Sequence, residues 1–149
     1  MQARLYALQK DTKIVVVNGA VAGGTTTVTP SAAIDMTGFE SVAFIAVLGD
    51  VVDTAVVTLK TNEVASNTTT GGTAVSDATA TFTATATSAD NKALISEVIR
   101  PRTRYVYPTL ERTIANAPVN AILAVLHGST EHPVTLDSSV IAAALAAGN

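Results

Sequence analysis

The chain has 149 residues, of which 48% are hydrophobic and only 14% charged, with a formal net charge of −3. That balance argues against a nucleic-acid module, which usually carries a basic excess. The absence of cysteine excludes disulfides and thiolate metal sites. A charged share well below the usual quarter of residues leaves Thr, Ser, Ala and Asn to form much of the surface, and such a surface suits packing against neighbours. The length fits one domain able to bury roughly 70% of what its unfolded chain exposes. No apolar run approaches the ~20 residues of a membrane span, and Met1–Leu5 lacks the apolar centre of a secretory signal. The expectation is a chain made in the cytoplasm with no membrane partner.

β signals dominate along the chain. Residues 1–30 read as an extended N-terminal arm with the first strands. Lys13–Val17 is a β-branched run that stops at the turn signal Asn18-Gly19. Thr25–Thr29 is a second β-rich run, entered through Gly23-Gly24 and closed by Pro30. Residues 31–134 read as the main domain. Ser41–Leu48 is almost continuously apolar, the pattern of a strand buried on both faces. It ends at Gly49-Asp50, and Ala55–Thr61 follows as its expected hairpin partner. Asn67–Thr73 reads as an exposed loop. Ala78–Thr87 alternates strictly, with Ala and Phe82 on one face and threonines on the other, favoured in a strand by β-branching. Residues 89–99 fit either a helix or an irregular crossing. Val119–Leu126 is the last long core strand, ended by His127-Gly128. Residues 135–149 form an Ala-rich tail in which Asp137 or Ser138 can cap a short helix with Val140, Ile141, Ala144 and Leu145 on one face. The fold class expected is all-β: a single-domain β-sandwich, jelly-roll-like, with an N-terminal arm and a short C-terminal helix or tail.

Chemistry-bearing patterns are sparse. His127 and His132 lie five apart, with Glu131 and Asp137 the nearest further ligands, a set short of a defined metal site. Asp35, Glu40, Asp50 and Asp53 flank turns, where carboxylates usually cap or solvate. The loop holding Asp50 and Asp53 lacks the ligand ladder of a helix–loop–helix calcium site. Gly23-Gly24 and Gly71-Gly72 lack the Lys-Ser/Thr of a phosphate loop, and no Gly-x-Ser-x-Gly elbow occurs. These residues point to no enzyme, no cofactor and no metal.

The densest feature is Val98-Ile-Arg-Pro-Arg-Thr-Arg-Tyr-Val-Tyr-Pro108. In an extended backbone Arg100, Arg102 and Arg104 fall along one edge, with Tyr105 and Tyr107 opposite. Arg and Tyr are enriched at protein interfaces, and guanidinium groups fork onto carboxylates. The bland alternative is a solvated edge whose arginine stems cover apolar surface. Pro101 and Pro108 place the segment at a sheet edge or a bend.

Two segments carry a family resemblance. Ile34-Asp-Met-Thr-Gly-Phe-Glu-Ser41 resembles the Ile-Asp-x-x-Gly-aromatic-x-Ser opening of small virion proteins of tailed bacteriophages. Arg102–Val106, Asn120–Leu126 and His132-Pro133-Val134 resemble the second half of the same proteins. The Thr/Ala-rich stretch 68–87 and the tail beyond Val134 depart from that pattern. The resemblance implies a decoration or cement protein on the outer surface of a phage capsid, binding the major capsid protein as a homo-oligomer, commonly a trimer. On that reading Arg4 and Tyr6 of the arm, the Arg100–Tyr107 segment and the Asp50/Asp53 turn are the candidate contact residues. A recurring Arg104-Tyr105 pair would instead serve the fold, leaving Arg100 and Arg102 as the better contact candidates. The runner-up roles are a tail-tube or head–tail joining protein, or a carbohydrate-binding sandwich displayed on the virion.

Overall fold

The computed structural model describes residues 7–146. Its elements are a single turn of helix, α1 (Leu8–Asp11), and eight strands: β1 (Lys13–Asn18), β2 (Ile34–Asp35), β3 (Phe39–Leu48), β4 (Val56–Val64), β5 (Thr73–Thr83), β6 (Ala93–Ile99), β7 (Tyr105–Thr113) and β8 (Val119–Ser129). They form two antiparallel four-stranded sheets with orders β1-β8-β3-β6 and β2-β7-β4-β5. The nesting of the pairs explains this order. β1 pairs with β8, β2 with β7, β3 with β6 and β4 with β5. The chain is thus a long antiparallel ribbon wound so that successive pairs alternate between sheets, which is the jelly-roll arrangement of the β-sandwich. The core between the sheets is built from the inward positions of the long strands, among them Phe44, Leu48, Leu59, Leu110, Ile122 and Leu126, all almost fully buried.

The winding corrects the expected hairpin. β3 and β4 do not pair; β3 lies between β8 and β6, and β4 between β7 and β5. Residues 49–55 carry the chain from one sheet to the other, with Gly49 N–H bonded to Pro118 O at 2.9 Å and Val52 N–H to Asn116 O at 3.0 Å. The ambiguous stretch 89–99 resolves as a turn followed by β6, with alternate burial along the strand.

The N-terminal arm is likewise corrected. From Lys13 onward the chain is part of the sandwich: β1 is an edge strand, and the crossing segment bridges both sheets through Val21–Val119 and Val28–Leu110. Thr25–Thr29 therefore contributes one bridge rather than a strand. A buried guanidinium holds this crossing. Arg112 on β7 is 3% exposed and donates to Thr26 O (2.8 Å), Ala22 O (2.9 Å), Ala117 O (2.7 Å) and Thr26 Oγ1 (3.2 Å). Five donors in a rigid fork suit several converging carbonyls, and burial lowers the pKa of the group from its ordinary value.

No C-terminal helix forms among the described residues. Asp137 does cap a turn, accepting from Ser139 N–H (3.0 Å) and Oγ (2.7 Å), but only one turn follows, Val140 N–H to Asp137 O at 2.9 Å. A helix that short is marginal without docking, and Asp137, one of the two candidate caps, is engaged by β1 together with Ser139. Val16 N–H donates to Ser139 Oγ at 2.9 Å, and Lys13 Nζ lies 3.6 Å from Asp137. The tail is strapped along the β1 edge, covering an otherwise open ladder.

Candidate interaction surfaces

The arginine segment is a bend, not a strand edge. Residues 100–104 link β6 to β7, so they leave one sheet and enter the other. Arg100 takes a left-handed backbone, φ 53°, fixed by its N–H on Glu40 O at 2.7 Å. Period-2 placement of Arg100, Arg102 and Arg104 therefore does not apply.

The three guanidinium groups have separate fates. Arg104 forks onto Asp35, Nε to Oδ1 at 3.0 Å and Nη2 to Oδ2 at 2.7 Å, and its Cζ sits 5.2 Å from the Tyr105 ring centroid. This pair ties the start of β7 to β2. The Arg104 guanidinium holds the Asp35 carboxyl far below the usual carboxylate range; burial opposes it, and the Thr37 N–H and hydroxyl add to the lowering. Arg100 reaches Glu40 only at 4.0 Å and is 77% exposed along its side chain. Arg102 is exposed; its backbone N–H donates to Glu63 Oε1 at 2.6 Å, which fixes the turn while the guanidinium projects outward.

The tyrosines belong to the fold. Tyr105 is half-buried beside Arg104, and Tyr107 is 4% exposed, its hydroxyl accepting from Gly72 N–H at 3.2 Å. Neither offers a free aromatic platform. Pro108 lies on β7 beyond the reach of the two-residue β2. Leu110, two residues on, exchanges both backbone bonds with Val28 across the edge away from β4. By the two-residue period, Pro108 also turns its nitrogen to that side, where no strand asks for a donor.

Asp50 and Asp53 lie at the other end of the sandwich, the full length of β3 away, which is on the order of 30 Å. Asp50 accepts from Asn91 Nδ2 at 3.3 Å, and Asp53 accepts from Ala86 N–H at 3.0 Å; both brace turns. His127 bonds Glu97 at 2.7 Å and His132 lies 3.1 Å from Asp11, so the histidines sit in separate pairs. Among the described residues no three His, Cys, Asp or Glu side chains cluster to hold a metal. Arg4 and Tyr6 lie outside the described residues.

A larger surface emerges only from the register. On the outer face of the β1-β8-β3-β6 sheet, Val16, Leu123, Ile45 and Ile95 stand in one row across all four strands. The row toward the arginine end is Ile14, Val125, Ala43 and Glu97, and on the other side Ala121, Val47 and Ala93 align. Ile95 is 58% and Ile99 70% exposed. The ionisable groups at outward positions are Glu97 and His127, bonded to each other. The outer face of the second sheet is the chemical opposite: Thr79, Thr81 and Thr83 of β5 align with Lys60, Thr58 and Val56 of β4, and Lys60 bonds Glu111 at 2.7 Å. An antiparallel sandwich normally turns polar residues outward on both sheets. Here only one sheet does so.

The sequence signal for this face was present. The near-continuous apolar run of β3 predicts burial on both sides, yet in the isolated chain Ser41, Val42, Phe44, Ala46 and Leu48 are buried while Ala43, Ile45 and Val47 remain half-open. What a linear reading misses is that β1, β6 and β8 add Ile and Val to the same face, because their pairing is non-local. Arg112 gave no signal at all, since a lone arginine in a strand does not announce which carbonyls will converge on it. No protein-family model matches the sequence, and no curated protein matches it.

Proposed function

We propose that this chain is a structural virion protein of a tailed phage, a decoration or cement protein that binds the outer surface of the capsid and stabilises it as a homo-oligomer, a trimer by the resemblance of Ile34–Val134. The observation that carries the assembly part of this reading is the apolar outer face of the β1-β8-β3-β6 sheet, opposite a Thr-rich, ion-paired face. Contiguous exposed apolar surface of this kind marks interaction sites. The jelly roll itself hosts capsid, lectin and other domains, so fold alone does not choose among them. The phage part rests on the sequence resemblance.

The shell contact in this proposal is the β6–β7 bend. Its backbone is fixed by Glu40 O and the Glu63 carboxylate, so Arg100 and Arg102 are presented by a rigid turn and lose little freedom on docking to carboxylates of the major capsid protein. Arg104 is excluded from that role by its fork with Asp35. The test is binding of the Arg100→Glu, Arg102→Glu double variant to undecorated capsids. A fall in affinity of at least tenfold with unchanged oligomeric mass is expected; unchanged affinity contradicts the assignment of the bend.

A further inference from the structure

The large exposed hydrophobic side chains of the described residues fall mainly into two groups. One is the outer sheet face, with Val16 (43%), Ile95 and Ile99; the other is the C-terminal tail, with Leu136 (42%), Ile141 (99%) and Leu145 (54%). Four others sit apart: Leu8 on α1, Phe82 on β5, and Val52 and Ile114 in turns at the acidic end. The two main groups match each other in chemistry. The tail carries no charged residue after Asp137, and the face offers no outward charge that is not already bonded within it. Bringing them together would therefore desolvate no unpaired ion.

Within one chain the two cannot fully meet. Ser139 is held at the β1 edge by Val16 N–H, and Asp137 by Lys13. Ile95 and Ile99 are on β6, at the far edge of the sheet, about 14 Å away across three strand spacings. Ile141 follows Ser139 by two residues and reaches at most about 7 Å beyond it. The rest of the tail lines a recess with Leu8, Thr12 and Ile14 on the β1 side, so the β6 half of the face stays uncovered.

We infer that the occupant of this face is a second copy of the chain, and that the part of it which docks is Ile141 of the tail, packed on the Ile95–Ile45–Leu123 row of the next subunit. Such a contact is heterologous, tail of one copy to face of the next, the kind that forms a ring when the rotation between copies closes. Packing face to face about a two-fold axis would cover the sheet but leave Ile141 in water. One tail-to-face contact is smaller than a standard interface of roughly 800 Å² a side; ring closure compensates, since two contacts must break together to release a subunit. The inference uses the assembly reading above but needs no shell, so its failure and that of shell binding are separable.

The test compares three full-length proteins by light scattering. Ile95→Lys and Ile141→Asp each alter a side chain that is mostly or wholly in water in the single chain, so both variants fold, which circular dichroism checks. Wild type is expected to have a mass that is a multiple of the 15.2 kDa chain, and each variant to fall to that single-chain mass. Mixed in equal amounts, the variants keep one intact tail-to-face contact per pair and cannot close a ring, so the mixture is expected to stay at the single-chain mass. A monomeric wild type overturns the proposal. So does an oligomer that survives Ile141→Asp, the outcome of face-to-face packing, and so does a mixture that regains the wild-type mass. Capsid binding by a protein that is monomeric throughout would overturn this proposal alone.

Discussion

Arg104 and Arg112 show how one residue type does two jobs in this molecule. Arg104 is an exposed fork on Asp35, and the depressed carboxyl pKa gives the pair a defined pH signature. A lowered folded-state pKa contributes stability that is fully present above the unfolded value near pH 3.9 and is lost as the pH falls further toward the folded value. Asp35→Asn is expected to lower the urea midpoint at pH 7, and the gap to wild type should hold down to about pH 4 and close below it. A gap that closes near neutrality would implicate another group. Arg112 is instead buried without a carboxylate partner, and its removal would strand carbonyls at residues 22, 26 and 117. Arg112→Met should cost about 2–4 kcal/mol in urea unfolding, several unsatisfied acceptors at once. Arg112→Lys should recover little of it, because an ammonium lacks the fork. Neither bond set was legible from sequence: Arg104 and Asp35 are 69 positions apart, and the carbonyls around Arg112 belong to a crossing with almost no regular structure.

At the scale of elements, the turns carry the strain and the close contacts. Ile114, in the β7–β8 turn, has φ 72° and is 74% exposed. A β-branched side chain in the left-handed region is costly and here has little packing to offset it. Ile114→Asn should stabilise the fold by roughly 0.5–1 kcal/mol, read as a rise in melting temperature, because Asn tolerates that backbone. Gly72 shows the reverse case. A Cβ there would lie 2.8 Å from the Tyr107 ring and hydroxyl and 2.9 Å from Glu63 O, so Gly72→Ala should cost about 1–3 kcal/mol by overpacking. Gly19→Ala, with nothing within 4 Å, should cost nothing. The strands themselves were readable where one period dominated. Of the alternating run Ala78–Thr87, the first six residues lie in β5 with Thr79, Thr81 and Thr83 exposed, while Phe82 is exposed too and residues 84–87 leave the strand; Val42–Leu48 is a core strand. The β3–β4 hairpin failed because Gly49-Asp50 marks a reversal equally well for a hairpin and for a crossing between sheets; only the partners β5, β6, β7 and β8 decide. The tail helix failed because Asp137, one of its candidate caps, and the neighbouring Ser139 are held by β1 instead.

Taken whole, the molecule is a jelly roll with one apolar outer face, one Thr-rich outer face, and a rigid arginine bend at one end. The register gathers exposed Ile and Val on one outer sheet face and the threonines on the other. The arm reading did not survive from Lys13 onward, and the arginine edge narrowed to Arg100 and Arg102 on a bend. A cement role asks for two kinds of contact, one among copies and one to the shell, and the face with its tail and the bend are separate surfaces able to serve them. The most direct measurement is the number of copies of the wild-type protein retained per undecorated phage capsid at saturation. The account predicts saturable binding on the order of hundreds of copies, as repeated local three-fold positions require. Retention of around six or twelve copies would place the protein in a ring at one vertex, and no retention would contradict the cement reading outright.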